Sequence, residues 1–152
     1  MRVQELMSTH VQACDANADL AKVAKMMWDG DCGIVPVTDG NRNVIGVVTD
    51  RDICIAAATR ATAPAAIRAR DVMSQEVFTC DQRDDVRQVL ATLKDRRVRR
   101  LPVVDAEARL VGIISLNDLV RAADCRRTSA IPGEDFLDTM KAISAHVTPA
   151  LQ

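Results

Sequence analysis

Residues 3–57 fall on residues 69–123 without a gap, and this duplication restricts the chain to folds assembled from two like halves. Met7-Ser8 meets Met73-Ser74, Val11 meets Val77, Cys14-Asp15 meets Cys80-Asp81, Pro36-Val37 meets Pro102-Val103, Asp39 meets Asp105, Gly46 meets Gly112 and Asp52 meets Asp118. Most apolar positions between these anchors match in type. A chain of 152 residues buries about two-thirds of its unfolded surface, enough for one core or for two small lobes.

Both halves read in the same order. A short alternating stretch, residues 11–14 or 77–80, predicts a strand, after which Asp15 or Asp81 can cap a helix. Leu20, Val23, Ala24 and Met27, like Val86, Val89, Leu90 and Leu93, keep helical spacing along one apolar face. Two strands follow, residues 34–37 and 44–48 about a turn at Asp39-Gly40-Asn41, with twins at 101–104 and 110–114. Pro36 and Pro102 cannot donate to a ladder, which predicts strand starts or edges for them. A second helix opens near Thr49 to Asp52, or Ser115 to Asp118. The chain thus reads as an α/β (α+β) protein of two β-α-β-β-α units. Its expected divisions are repeat 1 over 1–60, an ordered connector over 61–68, repeat 2 over 69–123, and a loop with an amphipathic helix over 124–152. Phe136, Leu137, Met140 and Ile143 mark the helix face expected to pack on the module or on a second subunit.

Composition excludes several functions. Twenty Lys and Arg against 21 Asp and Glu leave a net charge of −1, and the aromatics are Trp28, Phe78 and Phe136 alone, which argues against coating nucleic acid or an anionic membrane. No apolar run reaches the roughly 20 residues of a membrane span, and residues 1–10 lack a secretion signal, so a cytoplasmic protein is expected. Five cysteines (Cys14, Cys32, Cys54, Cys80, Cys125) with no CxxC pairing fit buried thiols better than disulfides or a metal site.

Each copy carries Gly-x-x-Thr/Ser-x-x-Asp after its last strand: Gly46 to Asp52 as Gly-Val-Val-Thr-Asp-Arg-Asp, and Gly112 to Asp118 as Gly-Ile-Ile-Ser-Leu-Asn-Asp. With Met7-Ser8, Pro36-Val37 and Asp39, then Met73-Ser74 and Arg99-Arg100-Leu101-Pro102-Val103-Val104-Asp105, residues 3–123 resemble a tandem pair of CBS domains, the Bateman module. The resemblance implies two units packed through their sheets with pseudo-two-fold symmetry. It further implies adenosine-ligand sensing in clefts between the repeats, with AMP, ADP, ATP, NAD-type dinucleotides or S-adenosylmethionine as ligands, and homodimers. No catalytic cofactor is implied.

An ionised Asp only accepts hydrogen bonds, so Asp52 and Asp118 need donors, and a ribose diol offers two; the family uses this Asp in that way. Thr49 and Ser115 stand where a helix presents unpaired N–H groups, a position favourable to phosphate. They serve equally as plain N-caps, with the Asp as a first-turn acid. The family's placement implies an adenine slot lined by Val11, Val35 and Pro36 in the first site and by Val77, Leu101 and Pro102 in the second, positions that also suit a core. Arg100 takes the family's phosphate-contacting place, whereas the first copy has Gly33-Ile34 opposite Arg99-Arg100. The first site therefore relies on Arg51, on a base from the other copy, or on a ligand with less phosphate, or it stays empty.

Two other classes compete with a sensor. An enzyme needs a catalytic constellation, but His10 and His146 have no repeat partners and no nucleophile spacing; Cys14 and Cys80 recur as small hydrophobes, and only an exposed thiolate would make them redox groups. A pure interaction module with vestigial sites remains open, because no fused output domain is recognisable and a signal must pass to another protein. Arg121, Arg126, Arg127 and the Arg96 to Arg100 cluster lie among acids without a nucleic-acid reading motif.

Overall fold

The computed structural model describes residues 1–122 and 133–145; the expected loop after Ala123, with Cys125, Arg126 and Arg127, and His146 lie outside the described residues. The first copy forms β1 (Cys14–Asp15), α1 (Leu20–Asp29), β2 (Ile34–Thr38), β3 (Val44–Thr49) and α2 (Asp50–Arg60). The second forms β4 (Cys80–Asp81), α3 (Val86–Arg96), β5 (Arg100–Val104), β6 (Leu110–Ser115) and α4 (Leu116–Ala122), and α5 (Gly133–Ser144) follows. The architecture is mixed α+β, with two three-stranded sheets ordered β1-β2-β3 and β4-β5-β6. In the first sheet β1 runs parallel to β2 and β2 antiparallel to β3.

The duplication extends to backbone detail. Asp31 and Arg97, one residue or two beyond α1 and α3, both take left-handed backbone, as do Arg42 and Ala108 at the hairpin turns. Asp39 stitches its turn by accepting the N–H groups of Asn41 (2.8 Å) and Asn43 (2.9 Å); Asp105 does the same for Glu107 (3.0 Å) and Arg109 (2.9 Å). Such side-chain-to-backbone bonds fix a turn without glycine at its left-handed position.

Three expectations are corrected. The helix caps are Asp19 and Asp85, which accept from the N–H of Lys22 (2.8 Å) and Arg87 (3.0 Å), not Asp15 and Asp81. Asp15 and Asp81 instead hold the preceding turns through the N–H of Asn17 (2.7 Å) and Arg83 (2.8 Å). The opening strands shrink to two residues each, because only Cys14 and Asp15 reach partners, Val37 and Thr38, on β2. Pro36 sits third of five residues in the central strand β2, opposite Val47, rather than at a start or edge. It is tolerated because Val47 bonds Ser74 through both its N–H (3.1 Å) and its C=O (3.0 Å), and β1 begins only opposite Val37. No ladder bond is therefore missing at Pro36.

The chain divides into two compact units that cut across the copies. One comprises His10–Val77 with Val104–Val111; the other comprises Met1–Thr9, Phe78–Val103 and the described residues from Gly112 onward. In the first unit, Leu20, Val23 and Met27 of α1 pack with Val35, Val37 and Val48 of the sheet, closed by Ile67 and Ala69. Each such side chain, once buried, contributes about 1.5–3 kcal/mol. Arg42 reaches the tip of the second hairpin, donating from Nη2 to the Leu110 carbonyl (3.1 Å) and accepting the Leu110 N–H (2.9 Å). In the second unit Val3 is buried with Val86, Val89, Leu93, Leu101, Ile114 and Leu119.

Each copy's opening segment is bonded to the other copy. Val3 and Gln4 donate to the carbonyls of Asp84 (3.0 Å) and Gln82 (2.9 Å), while Ala69 and Arg70 donate to Ala18 (2.8 Å) and Ala16 (3.0 Å), the repeat-equivalent bonds. Ser8 pairs with Ile113 as Ser74 pairs with Val47.

Helix α5 packs on α3 within the second unit. Its buried position is Thr139 (1% exposed), whose hydroxyl donates to the Asp135 carbonyl (2.8 Å) and so enters the interface satisfied. Phe136 and Ile143 are half-buried as expected, but Leu137 and Met140 point outward at 54% and 37% exposure. Thr139 completes the 136, 139, 143 stripe that the apolar residues alone left broken.

Candidate functional site

The doubled motif folds into a doubled lock. In α2, the N-cap Thr49 donates from N–H and Oγ1 to Asp52 Oδ2, both at 2.8 Å, and accepts the Asp52 N–H at 3.2 Å. Ser115 and Asp118 repeat this at 2.8, 2.6 and 3.3 Å. The pairing is a capping box, with the acid three residues after the hydroxyl returning to the cap's own N–H. The hydroxyl has one proton and gives it to the carboxylate, so in this geometry neither Thr49 nor Ser115 has a proton left for phosphate. Asp52 Oδ1 makes no hydrogen bond among the described residues, whereas Asp118 Oδ1 accepts from Arg121 Nη2. Asp118 is 13% exposed and Arg121 is 78% exposed, so the arginine is the displaceable partner.

Gly46 and Gly112 allow a close approach of protein to protein. A Cβ on Gly46 would stand 2.5 Å from Met73 Sδ, and one on Gly112 would stand 2.8 Å from the Ser8 carbonyl oxygen and 2.9 Å from Met7 Sδ. The structure places the Met7-Ser8 and Met73-Ser74 segments against these glycines.

Beside the motif each unit has a cavity, and the two differ in chemistry. The second unit's cavity, about 360 Å³, is lined by Arg99, Arg100, Ser115, Leu116 and Asn117, with Val120, Phe136 and Met140 forming its apolar side. Arg99 is anchored through its carbonyl, which accepts the Leu116 N–H at 2.9 Å. Neither the Arg99 nor the Arg100 guanidinium pairs with a carboxylate among the described residues, in contrast to Arg83, Arg109 and Arg121. The first unit's cavity, about 560 Å³, is lined by Ala24, Met27, Trp28, Asp31, Cys32, Gly33, Asp50, Ile53 and Cys54. Asp31 and Asp50 are its charged groups, a pair that repels phosphate.

The other expected site residues scatter. Val35 and Leu101 are fully buried in their cores, and Pro36 and Pro102 are buried beside them. Val11 and Val77 are half-buried outside any strand, and Arg51 is exposed in the first turn of α2, away from the cavity lining. Arg100 and Ser115 come together on one cavity; Thr49, Asp52 and Asp118 stay locked in their caps. Phe136, Met140 and Asn117 were not expected in the site: α5 has no repeat partner, and its apolar spacing was the only signal available. Of the clustered bases, Arg96 stacks on Phe78, its Cζ 4.5 Å from the ring centre.

The thiols sort by burial. Burial, with Asp15 next to it, pushes Cys14 up to about 11, and burial with Asp84 and Asp81 pushes Cys80 up to about 12. Both are protonated small hydrophobes in the physiological range. Cys32 is half-buried and Cys54 exposed. Among the described residues there is no cluster of His, Cys, Asp or Glu fit for a metal ion, and no helix is long and apolar enough to cross a membrane.

These features define a duplicated α+β fold with one cavity beside each copy of the motif. The CBS domain family model matches residues 3–58 and 69–124, and the chain belongs to the CBS-domain family as a tandem pair. The Methanopyrus kandleri protein MK0525 is 31% identical over 100 residues, 66% of this chain and 51% of that protein, so the match spans about half of the relative's length. The solved CBS domain protein TA0289 of Thermoplasma acidophilum superposes with a TM-score of 0.76 at 26% identity, covering 93% of this chain and 75% of that one. The CBS domain pair of protein MJ0100, solved in complex with 5'-methylthioadenosine and S-adenosyl-L-methionine, shares the fold with a TM-score of 0.72 at 23% identity, covering 80% and 94%.

Proposed function

We propose that the protein is a non-catalytic sensor that binds an adenosine nucleotide of the AMP, ADP or ATP class at its second copy and relays occupancy to a partner protein. The observation that carries this reading is the pair of arginines, Arg99 and Arg100, which have no carboxylate partners among the described residues and line a cavity that also has an apolar side. Unpaired guanidiniums with a flat apolar surface opposite match a molecule that is anionic at one end and aromatic at the other. The adenosine ligands of the MJ0100 pair support the same chemical class. Asp118 takes the ribose hydroxyls once its exposed partner Arg121 gives way, with Ser115 keeping the carboxylate oriented. The acidic first cavity binds nucleotide weakly or not at all.

The interaction-only reading is favoured by one observation, the engagement of both motif acids in capping boxes. Calorimetry with AMP, ADP, ATP, NADH and S-adenosylmethionine separates the two. Expected is one site per chain for an adenine nucleotide, weakened about tenfold to a hundredfold in Asp118→Ala and in Arg100→Ala, the range for a hydrogen bond to a charged group. Absence of binding by all five ligands overturns the sensor reading in favour of the interaction module.

A further inference from the structure

The second unit's cavity is closed on one side by a helix that the duplication does not supply. Phe136 and Met140 of α5 face it together with Val120 of α4, while Arg99, Arg100 and Asn117 face it from the strand end and the start of α4. The repeat supplies the charge and the amide together with the aliphatic Leu116 and Val120, and the C-terminal extension supplies the ring and the thioether. At about 360 Å³ the space falls in the roughly 300–1,000 Å³ range of small-molecule sites.

Helix α5 is held in place independently of the cavity. Thr139, 1% exposed and satisfied by the Asp135 carbonyl, seats the helix on α3 beside Leu90 and Ala91. Met140 is 37% exposed although Thr139 next to it is buried. An exposed thioether on a cavity wall adapts readily to a flat partner, and sulfur makes favourable contacts with aromatic rings.

We propose that α5 is part of the ligand site: Phe136 and Met140 receive the purine base of a nucleotide whose phosphate is held by Arg99 and Arg100. This rests on the sensor reading and goes beyond it by making the C-terminal helix the base-recognition element. Binding then clamps α5 against the cavity, and the helix reports occupancy. The first unit has no corresponding wall, since its cavity is lined from α1, α2 and the residues between α1 and β2.

The test uses the full chain and two probes, AMP and ribose 5-phosphate, which shares the phosphate and sugar but lacks the base. In Phe136→Ala AMP affinity is expected to fall about tenfold, within the roughly fivefold to hundredfold range for a base stacked on an aromatic ring, and in Met140→Gln it is expected to fall in the same direction through the lost thioether contact. Ribose 5-phosphate binding is expected to stay as in the parent protein. Met140→Gln keeps a good helix former at a partly exposed position, so it tests the wall if Phe136→Ala loosens α5. Hydrogen exchange across residues 133–144 is expected to slow on adding AMP and to be unaffected by ribose 5-phosphate. Unchanged AMP affinity in both variants overturns the role of α5 and leaves the sensor reading standing. Equal weakening of both probes also overturns it, because that is the signature of a loosened fold. A parent protein that binds neither probe overturns the role of α5, and one that also fails to bind ADP, ATP, NADH and S-adenosylmethionine overturns the sensor reading with it.

Discussion

Gly112→Ala is expected to destabilise the protein by about 2 kcal/mol, whereas Gly46→Ala, its repeat partner, stays within about 1 kcal/mol of the parent. The difference lies in what a new methyl group meets. At Gly112 it stands 2.8 Å from the Ser8 carbonyl oxygen, and that carbonyl is pinned: it accepts the Ile113 N–H at 3.0 Å while Ser8 donates to the Ile113 carbonyl at 2.9 Å. At Gly46 the three nearest atoms belong to the Met73 side chain, with Sδ at 2.5 Å, Cγ at 3.0 Å and Cβ at 3.2 Å, and a thioether rotates out of the way. Overpacking costs about 1–3 kcal/mol, the upper end applying where backbone is struck. Neither glycine has a positive φ, so alanine recovers about 0.4–1 kcal/mol by restricting the unfolded chain. The net loss of about 2 kcal/mol at Gly112 corresponds to about 4–8 °C in Tm for a chain of this size. Urea denaturation of both variants, with the double mutants Gly46→Ala/Met73→Ala and Gly112→Ala/Met7→Ala, measures the coupling. Met73→Ala should rescue its glycine and Met7→Ala should not. Equal losses at the two glycines, or rescue of Gly112→Ala by Met7→Ala, would refute the reasoning.

Two further outcomes follow from the same geometry. Thr49→Ala removes the N-cap of α2 and is expected to cost about 1 kcal/mol in urea denaturation, with Thr49→Ser close to the parent; an unaffected Thr49→Ala would show that the capping box contributes nothing. Cys14 and Cys80 hold their protons in the folded state up to about 11 and about 12, against 9.0 for the ordinary thiol, so their contribution is complete below pH 9 and is lost as pH rises toward those values. The parent protein should therefore lose stability between pH 9 and 11 more steeply than Cys14→Ala or Cys80→Ala does. In the native state at pH 8 a thiol reagent should modify Cys54 and spare Cys14 and Cys80; equal rates would contradict their burial.

The fold was legible because each structural requirement was stated twice. Helix faces such as Leu20, Val23 and Met27 and the turns at Asp39 and Asp105 recur, so chance patterns in one copy were filtered by the other. Where reading failed, it failed in both copies alike, because duplication repeats an ambiguity as faithfully as a signal. Asp15 and Asp19 are both reasonable caps on local grounds, and only the start of α1 at Leu20 decides for Asp19. The prolines were misplaced because an absent donor matters only on the side where an acceptor waits. At Pro36 the short β1 leaves that side open, a fact of pairing rather than of composition.

The candidate site was less legible for a related reason. The motif Asp and Thr/Ser are visible in sequence, but their mutual bonding is a matter of rotamers, and it makes the expected ligand groups each other's partners in a capping box. That Arg99 and Arg100 have no carboxylate partners among the described residues is equally invisible in a chain where acids and bases are nearly balanced. Helix α5 lacks a second copy, so nothing checked its apolar stripe, and the residue that seats it is a threonine. The exchange of opening segments shows the limit most clearly. Alignment finds where the pattern restarts, at Val3 and Ala69, but the backbone bonds of Val3 go to Asp84 and those of Ala69 go to Ala18. Each copy therefore lacks, in its own sequence, the strand that pairs with its last sheet edge at Val47 or Ile113. A single copy leaves that edge and its glycine uncovered, so the neighbours of each glycine, Met73 for Gly46 and Met7-Ser8 for Gly112, are written in the other copy and not in its own.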